Sequence, residues 1–224
     1  MSAQLPRYIA VEGVIGAGKT TLASMLAASL PEARFIPEHF EDNPFLEKFY
    51  RERERYAFQV QMFFLLSRYR QQLELAQYDL FSTTLVSDYA FEKDEIFARL
   101  ILGDAEVALY RQVAESLQTT VVRPDLSVYL QSDVDRLMAN IERRDRTYER
   151  AIDRGYIEEL HEAYSRFFAT YTRVPVLVVD TSGLDIVQNP AHFGAVRTLI
   201  LTPVAGTGVR YFSLAETFPS PLEE

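Results

Sequence analysis

The 224-residue chain predicts an α/β protein: a doubly wound, five-stranded parallel sheet with helices on both faces. Three observations predict it. Short, nearly all-apolar runs alternate with longer stretches of helical periodicity, as strands buried on two faces require. The first of these runs ends in a glycine-rich turn that opens into a helix. No repeat of 20–50 residues and no low-complexity tract interrupts the alternation, which sets aside solenoids and arrays.

Taken in order, Tyr8-Ile9-Ala10-Val11-Glu12 is a strand closed by Gly13. Over 19–30, Leu22, Met25, Leu26 and Leu30 recur at helical spacing until Pro31. Ala33 to Pro37 is a second strand, followed by Glu38. The spacing of Phe45, Leu46, Phe49, Phe58, Met62, Leu65 and Leu66 predicts a long helix over 44–77, in which Arg51-Glu52-Arg53-Glu54-Arg55 is a solvated charged turn. Thr84 to Asp88 is a third strand, followed by helices over 94–102 and 104–118. Pro124 introduces the fourth strand, Leu126 to Leu130. A helix over 134–143, an arginine-rich segment to Gly155 and a helix over 156–172 precede the fifth strand, Val176 to Asp180. Residues 1–202 read as one domain with a lid at about 143–155. Beyond Thr202, Pro203, Gly206, Gly208, Pro219 and Pro221 break every period. That leaves 203–224 as a tail: a strand pair, an arm onto a partner subunit, or an unstructured end.

Lys and Arg number 23 against 32 Asp and Glu, a net charge of −9. That balance excludes a bulk nucleic-acid binder, whose affinity comes from a basic face. The absence of cysteine removes disulfides, thiolate metal sites and thiol nucleophiles together. Met1 to Arg7 carry no apolar signal core, and no apolar run approaches 18 residues. The expectation is a cytoplasmic protein with no membrane partner. His39, His161 and His192 show no metal-ligand spacing.

Gly13-Val14-Ile15-Gly16-Ala17-Gly18-Lys19-Thr20 fits the phosphate-loop pattern G-x4-G-K-[ST], and it has the required strand before and helix after. Glycines let the backbone wrap a phosphate, and amide N–H groups with the helix N-terminus then face the anion. Lys19 is expected to reach the outer phosphates and the Thr20 hydroxyl to ligand Mg²⁺. Gly13, Gly16, Ala17, Gly18, Lys19, Thr20, Thr21 and Arg143 are the expected nucleotide contacts. The loop points to nucleotide binding and leaves the reaction open.

Ligands of a doubly wound sheet bind beyond the carboxyl ends of the strands. Glu38, Asp88 and the group Arg143, Arg144 and Arg146 fall there. A carboxylate at that place can take a proton from an acceptor hydroxyl or hold Mg²⁺, and arginines can offset transition-state charge. Singly, a strand-end acid serves equally as a helix cap and an arginine run as a solvated face.

Several strings carry a family resemblance: Glu38-His39-Phe40-Glu41-Asp42-Asn43-Pro44-Phe45-Leu46-Glu47-Lys48-Phe49-Tyr50, Gln61-Met62-Phe63-Phe64-Leu65-Leu66-Ser67-Arg68, Ser87-Asp88-Tyr89-Ala90-Phe91-Glu92-Lys93 with Ile96-Phe97-Ala98, and Arg143-Arg144-Asp145-Arg146-Thr147-Tyr148-Glu149. Over about residues 8–180 the chain resembles the deoxyribonucleoside kinases, particularly the bacterial deoxyguanosine kinase branch. The resemblance implies a phosphate-loop kinase fold, ATP and Mg²⁺, and a homodimer joined through helices. It implies Glu38 as base for the 5′-hydroxyl, Tyr50 and Glu149 at the 3′-hydroxyl, and Gln61 and Arg68 at the base edge. Phe97 would stack on the base, and Arg144 and Arg146 would be lid residues. Without it, Gln61 reads equally as a polar residue at a core edge, and Tyr50 and Phe97 as core packing.

The chain departs from the wider family after the third strand. Many members carry Asp/Glu-Arg-Ser there, whereas this chain has Ser87-Asp88-Tyr89. In ungapped register Asp88 falls at the arginine's place, and Lys93 at that of an aspartate facing the base. Lys93 is then a candidate for the missing cation, or a partner of Arg68 in a donor pair that suits the O6 and N7 acceptors of guanine. The second option predicts deoxyguanosine over deoxyadenosine. Two other readings stand beside this purine deoxynucleoside kinase: a thymidylate-like nucleoside monophosphate kinase, which the acids Glu38, Glu41 and Asp42 oppose, and a nucleotide-binding partner subunit with little turnover.

Overall fold

The structure is a computed structural model that describes residues 5–40, 42–78, 84–117, 121–203 and 206–213. Its strands β1 (Tyr8–Gly13), β2 (Ala33–Ile36), β3 (Thr84–Ser87), β4 (Leu126–Gln131), β5 (Val176–Asp180) and β6 (Val209–Phe212) form one sheet in the order β2-β3-β1-β4-β5-β6. Every pairing is parallel. β1 and β4 are buried almost throughout, which is why both read as apolar runs without alternation.

The sheet has six strands where the sequence predicts five. The sixth comes from the tail, with Leu177 beside Arg210 and Val179 beside Phe212. β6 is an edge strand of four residues next to Gly206 and Gly208. Phe212 is buried on the core while Tyr211 faces out, too short an alternation to stand out in the sequence. Tail residues 204–205 and 214–224 lie outside the described residues.

The helices are α1 (Lys19–Ala28), α2 (Leu46–Arg51), α3 (Arg53–Tyr78), α4 (Lys93–Ile101), α5 (Asp104–Leu117), α6 (Val134–Arg144), α7 (Arg154–Thr170) and α8 (Pro190–Leu201). The single helix expected over 44–77 is divided at Glu52, whose φ of −135° and ψ of 69° leave the helical region. The Glu52 amide closes α2 on the Lys48 carbonyl, and its own carbonyl receives the first turn of α3. The charged run is thus a break as well as a solvated turn. α8 escaped the sequence reading because only Val196 and Ile200 are fully buried, a narrow stripe. Its start is nevertheless specified: Asn189 accepts from the Ala191 amide, and Pro190 lies in the first turn.

The main core fills the sheet's two faces. On one, α1 contributes Leu22 and Leu26 and α8 contributes Val196 and Ile200; on the other lie Tyr164 and Phe168 of α7. Tyr129 and Phe168 stack with centroids 4.5 Å apart and planes 9° from parallel. Truncating a fully buried leucine such as Leu26 to alanine is expected to destabilise the fold by about 2–5 kcal/mol.

Candidate active site

The glycine-rich turn leaves β1 beside α6. Gly16 has φ +87°, and a Cβ there would lie 2.6 Å from the Leu137 carbonyl oxygen, so a side chain is excluded both by torsion and by backbone. Gly18, at φ +90°, faces open space. It precedes α1 with no side-chain cap, which leaves first-turn amides of a ten-residue helix without side-chain partners and ready for an anion. Lys19 Nζ folds back onto the Gly13 and Val14 carbonyls at 2.8 and 3.1 Å. Burial, reinforced by the nearby Lys93, lowers its pKa to about 8.

Three strand ends deliver acids next to this turn. Asp88, just after β3, accepts from the Thr20 hydroxyl at 2.5 Å and from the Glu38 amide at 2.7 Å. Glu38, just after β2, is gripped from two sides. Its Oε1 receives Arg68 Nε at 2.8 Å and Nη2 at 2.5 Å, and its Oε2 receives Lys93 Nζ at 2.7 Å. Burial opposes its charge, yet Lys93 and Arg68 outweigh burial and bring the carboxyl down to about 2. Glu12, at the end of β1, is fully buried and receives the Ala90 amide at 2.5 Å and the Gly13 amide at 3.3 Å. Burial raises its pKa against the opposing pull of Lys93 and Lys19.

These contacts correct the ungapped register. Asp94, not Lys93, meets Arg68, through Arg68 Nη1. Lys93 starts α4 and aims its ammonium at Glu38. The expected donor pair of Arg68 and Lys93 at a base edge is not assembled, and the argument for guanine that used it falls. Asp88 lies on the Thr20 hydroxyl, the place of an acid and not of an arginine. The physical reason is the turn between β3 and α4, whose length cannot be counted from matching letters alone.

Gln61, Arg68 and Phe64 reach the site from α3, and Phe97 reaches it from α4. Gln61 Nε2 donates to the Asp94 carbonyl at 2.8 Å and to Asp94 Oδ1 at 3.2 Å. The Arg68 guanidinium stacks 4.8 Å from the Phe64 ring centroid, and Phe97 meets Tyr164 edge-on. At the other end Glu149 sits in a 3₁₀ turn, Thr147–Glu149. It accepts from Arg144 Nε and Nη2 at 2.9 and 2.6 Å, with Arg146 3.7 Å away. Arg146 also lies over the Phe40 ring at 4.6 Å. Burial, with Tyr156 and Glu149 adding to it, holds the Tyr50 phenol well above its ordinary pKa.

Tyr50, Gln61, Arg68, Phe97, Glu149, Glu38, Lys93 and Asp88 all line one cavity of about 100 Å³, together with Gly13, Lys19, Thr20, Arg144 and Arg146. A second cavity, about 690 Å³, lies against Ala17, Gly18 and Thr21 and is walled by Arg136, Asn140, Arg143 and residues 183–188. The adjacent Arg143 and Arg144 therefore serve opposite sides of the loop. Gly16 lines neither cavity and packs under α6. Sequence reasoning missed Glu12, Asp94, Phe40 and Tyr164. Of these, Asp94 alone carried a usable signal, as a carboxylate one residue beyond Lys93. Among the described residues no helix is long and apolar enough to cross a membrane.

A phosphate loop flanked by a carboxylate-lined cavity on one side and a larger cavity on the other has the makings of a nucleotide site with room for a second ligand. Its likeness to known proteins supplies the reaction class, a phosphotransferase that acts on a hydroxyl. The family model described as deoxynucleoside kinase matches residues 9–204. The deoxyguanosine kinase of Bacillus subtilis strain 168 is 34% identical over 191 residues, which cover 83% of this chain and 92% of that protein. The deoxyadenosine kinase of Dictyostelium discoideum is 32% identical, covering 78% and 72%. The deoxyadenosine/deoxycytidine kinase of B. subtilis is 30% identical, covering 81% and 85%. The structure of deoxyadenosine kinase from M. mycoides with bound dATP shares the fold, with a TM-score of 0.74 at 23% identity over 86% of this chain and 98% of that one. The chain belongs to the deoxynucleoside kinase family.

Proposed function

We propose that this kinase transfers the γ-phosphoryl group of ATP to the 5′-hydroxyl of a purine deoxynucleoside, with deoxyguanosine preferred, in nucleotide salvage. The observation that carries the reaction is the Glu38 carboxylate held between Lys93 and Arg68 beside the phosphate loop. In the proposal Glu38 orients the 5′-hydroxyl and accepts its proton. A carboxylate near pKa 2 is a weak base, but phosphoryl transfer has a loose transition state in which the hydroxyl needs positioning more than deprotonation. Tyr50 and Glu149 hold the 3′-hydroxyl, Phe97 faces the base, and Gln61 and Arg68 meet its edge. The first-turn amides of α1 and Lys19 cradle the donor phosphates, with Gly13, Ala17, Thr21 and Arg143 around them. The oxygens of Thr20 and Asp88, 2.5 Å apart at the loop, suit a hard cation that takes one or two protein oxygens and fills its shell with phosphate and water. Mg²⁺ bound there would neutralise charge between the donor phosphates. Lys93, Arg144 and Arg146 stabilise the transferring group.

Deoxyguanosine preference rests on the 34% identical deoxyguanosine kinase and on Arg68 as a donor to O6 or N7. The Arg68–Asp94 pair favours a second reading: one donor and one acceptor side by side also match the amino group and N7 of adenine. A panel of deoxynucleosides and their monophosphates with MgATP tests both. The expected result is turnover of purine deoxynucleosides with deoxyguanosine first. Deoxyadenosine first selects the second reading, and turnover of monophosphates only, or of nothing, overturns the proposal. The same reading includes a homodimer joined through helices, which sedimentation of the purified chain tests: a monomer at micromolar concentration removes it. Cytoplasmic residence is proposed with it, and fractionation of expressing cells checks it.

A further inference from the structure

Among the described residues, the side-chain hydrogen bonds of Arg136, on α6, go neither to the phosphate loop nor to the acids around it. Its guanidinium reaches across the second cavity to the segment between β5 and α8, where Nη1 donates to the Thr181 carbonyl at 2.6 Å and Nη2 to the Leu184 carbonyl at 2.5 Å. One turn further along α6, Asn140 Nδ2 donates to the Gly16 carbonyl at 2.9 Å. Residues four apart share a helix face, so one face of α6 fastens the phosphate loop at one point and the distant segment at two.

The fastened segment is stiff for reasons of its own sequence. The Thr181 amide donates to the Gln131 carbonyl and the Leu184 amide to the Thr181 carbonyl. Asp185 Oδ1 accepts from the Val187 and Gln188 amides at 3.1 and 2.9 Å. Residues 183–188 form the outer wall of the second cavity. In-line transfer places acceptor and donor on opposite sides of the transferring phosphoryl group. With the acceptor beside Glu38, the donor's sugar and base leave the loop on the side of this wall.

We propose that Arg136 is a positioning residue for the donor: it sets the wall 183–188 at the distance from the phosphate loop that a nucleoside triphosphate's base requires, without contacting the phosphates. The inference rests on the kinase reading above and on the second cavity as the donor's place. Its chemistry is specific to a planar fork, because two carbonyls about one loop turn apart are held by two parallel N–H donors, and a lysine ammonium cannot reproduce that geometry.

The test uses Arg136→Met, with Arg136→Lys and Arg136→Gln as milder variants should the first fail to fold. Steady-state kinetics give KM for ATP and for the deoxynucleoside. Inhibition by inorganic tripolyphosphate, which has phosphates but no base, reads the loop alone. Arg136→Met is expected to raise KM for ATP by about tenfold, the loss of one to two hydrogen bonds to a charged donor. The inhibition constant of tripolyphosphate and the deoxynucleoside KM should stay within about twofold, and Arg136→Lys and Arg136→Gln should fall in between. An unchanged KM for ATP overturns the inference. Parallel weakening of ATP and tripolyphosphate also overturns it, because Arg136 then acts through the phosphate loop. A rise confined to the deoxynucleoside KM would instead reverse the donor and acceptor sides, and with them the reading on which the inference rests.

Discussion

On the Glu38 side of the phosphate loop, charged side chains satisfy one another; on the Arg143 side, an amide, a guanidinium and main-chain carbonyls form the frame. The first cavity is narrow and holds Arg68 and Glu149 at 3% and 5% exposure. Its ion pairs at Glu38 are largely buried on both sides, where breaking one partner leaves an uncompensated charge. The second cavity is larger, about 690 Å³, and Arg143 there is exposed and donates to Asn140 at 3.0 Å. The difference separates two tasks. In the proposed reading the Glu38 side fixes one hydroxyl and one base and holds a carboxylate ionised. The Arg143 side, in the same reading, places a wall for the donor and lets a nucleotide come and go.

The largest effect that can break this contrast is at Glu38. Glu38→Gln keeps the shape but removes the charge and turns one of the two oxygens that accept from Arg68 and Lys93 into an NH2 donor, and kcat should fall by about 10²–10⁴-fold with the deoxynucleoside KM changed only a few-fold. Lys93→Met comes next. Loss of a preorganised charge should lower kcat by about 10²–10³-fold while the ratio of activities on deoxyguanosine and deoxyadenosine is retained. A changed ratio would return Lys93 to the base edge and undo the correction made from its contact with Glu38.

A pH experiment sharpens the comparison through Lys19. Its folded pKa, about 8, lies below the ordinary lysine value, so between pH 8 and that value the free native state binds fewer protons than the unfolded chain. Over that window this group makes stability rise with pH. Donor phosphates reverse the sign by favouring the ammonium. Calorimetric titration with ATP in buffers of different ionisation enthalpy should therefore show uptake approaching about one proton at pH 9 and almost none at pH 6.5. Lys19→Met should abolish the uptake. The smallest effect belongs to the proposed donor side: Asn140→Ala removes the neutral hydrogen bond to the Gly16 carbonyl and the exposed one that Arg143 donates to Asn140 Oδ1, and should raise KM for ATP by several-fold, about 1 kcal/mol.

The same division governs what could be read in advance. The phosphate loop, Glu38, Tyr50, Gln61, Arg68, Phe97 and Glu149 each stand in a short local string, and the structure brings the six side chains to one cavity with Gly13, Lys19 and Thr20 of the loop. Strands β1, β4 and β5 were legible because burial on two faces leaves them nearly all apolar, whereas β2, with Arg34 and only partial burial, was legible as a short run between helices. The turn from Asp88 to Lys93 was not legible. A one-residue difference in where α4 begins exchanges Lys93 and Asp94, and only the folded backbone decides which of them meets Arg68. The donor wall was hidden more deeply. It has no motif, and Arg136 reaches it across 45 residues of sequence. β6 and α8 present stripes too narrow or too short for periodicity to register.

In the proposed reading the nucleoside's 5′-oxygen is received by the carboxylate at Glu38. A crystal structure with a purine deoxynucleoside shows whether it is. The predicted result is a 5′-oxygen about 2.6–3.2 Å from a Glu38 carboxylate oxygen, with the 3′-oxygen near Tyr50 and Glu149 and Lys93 still on Glu38. A nucleoside seated with its 5′-oxygen beyond hydrogen-bond reach of Glu38, or bound against residues 183–188, would contradict it.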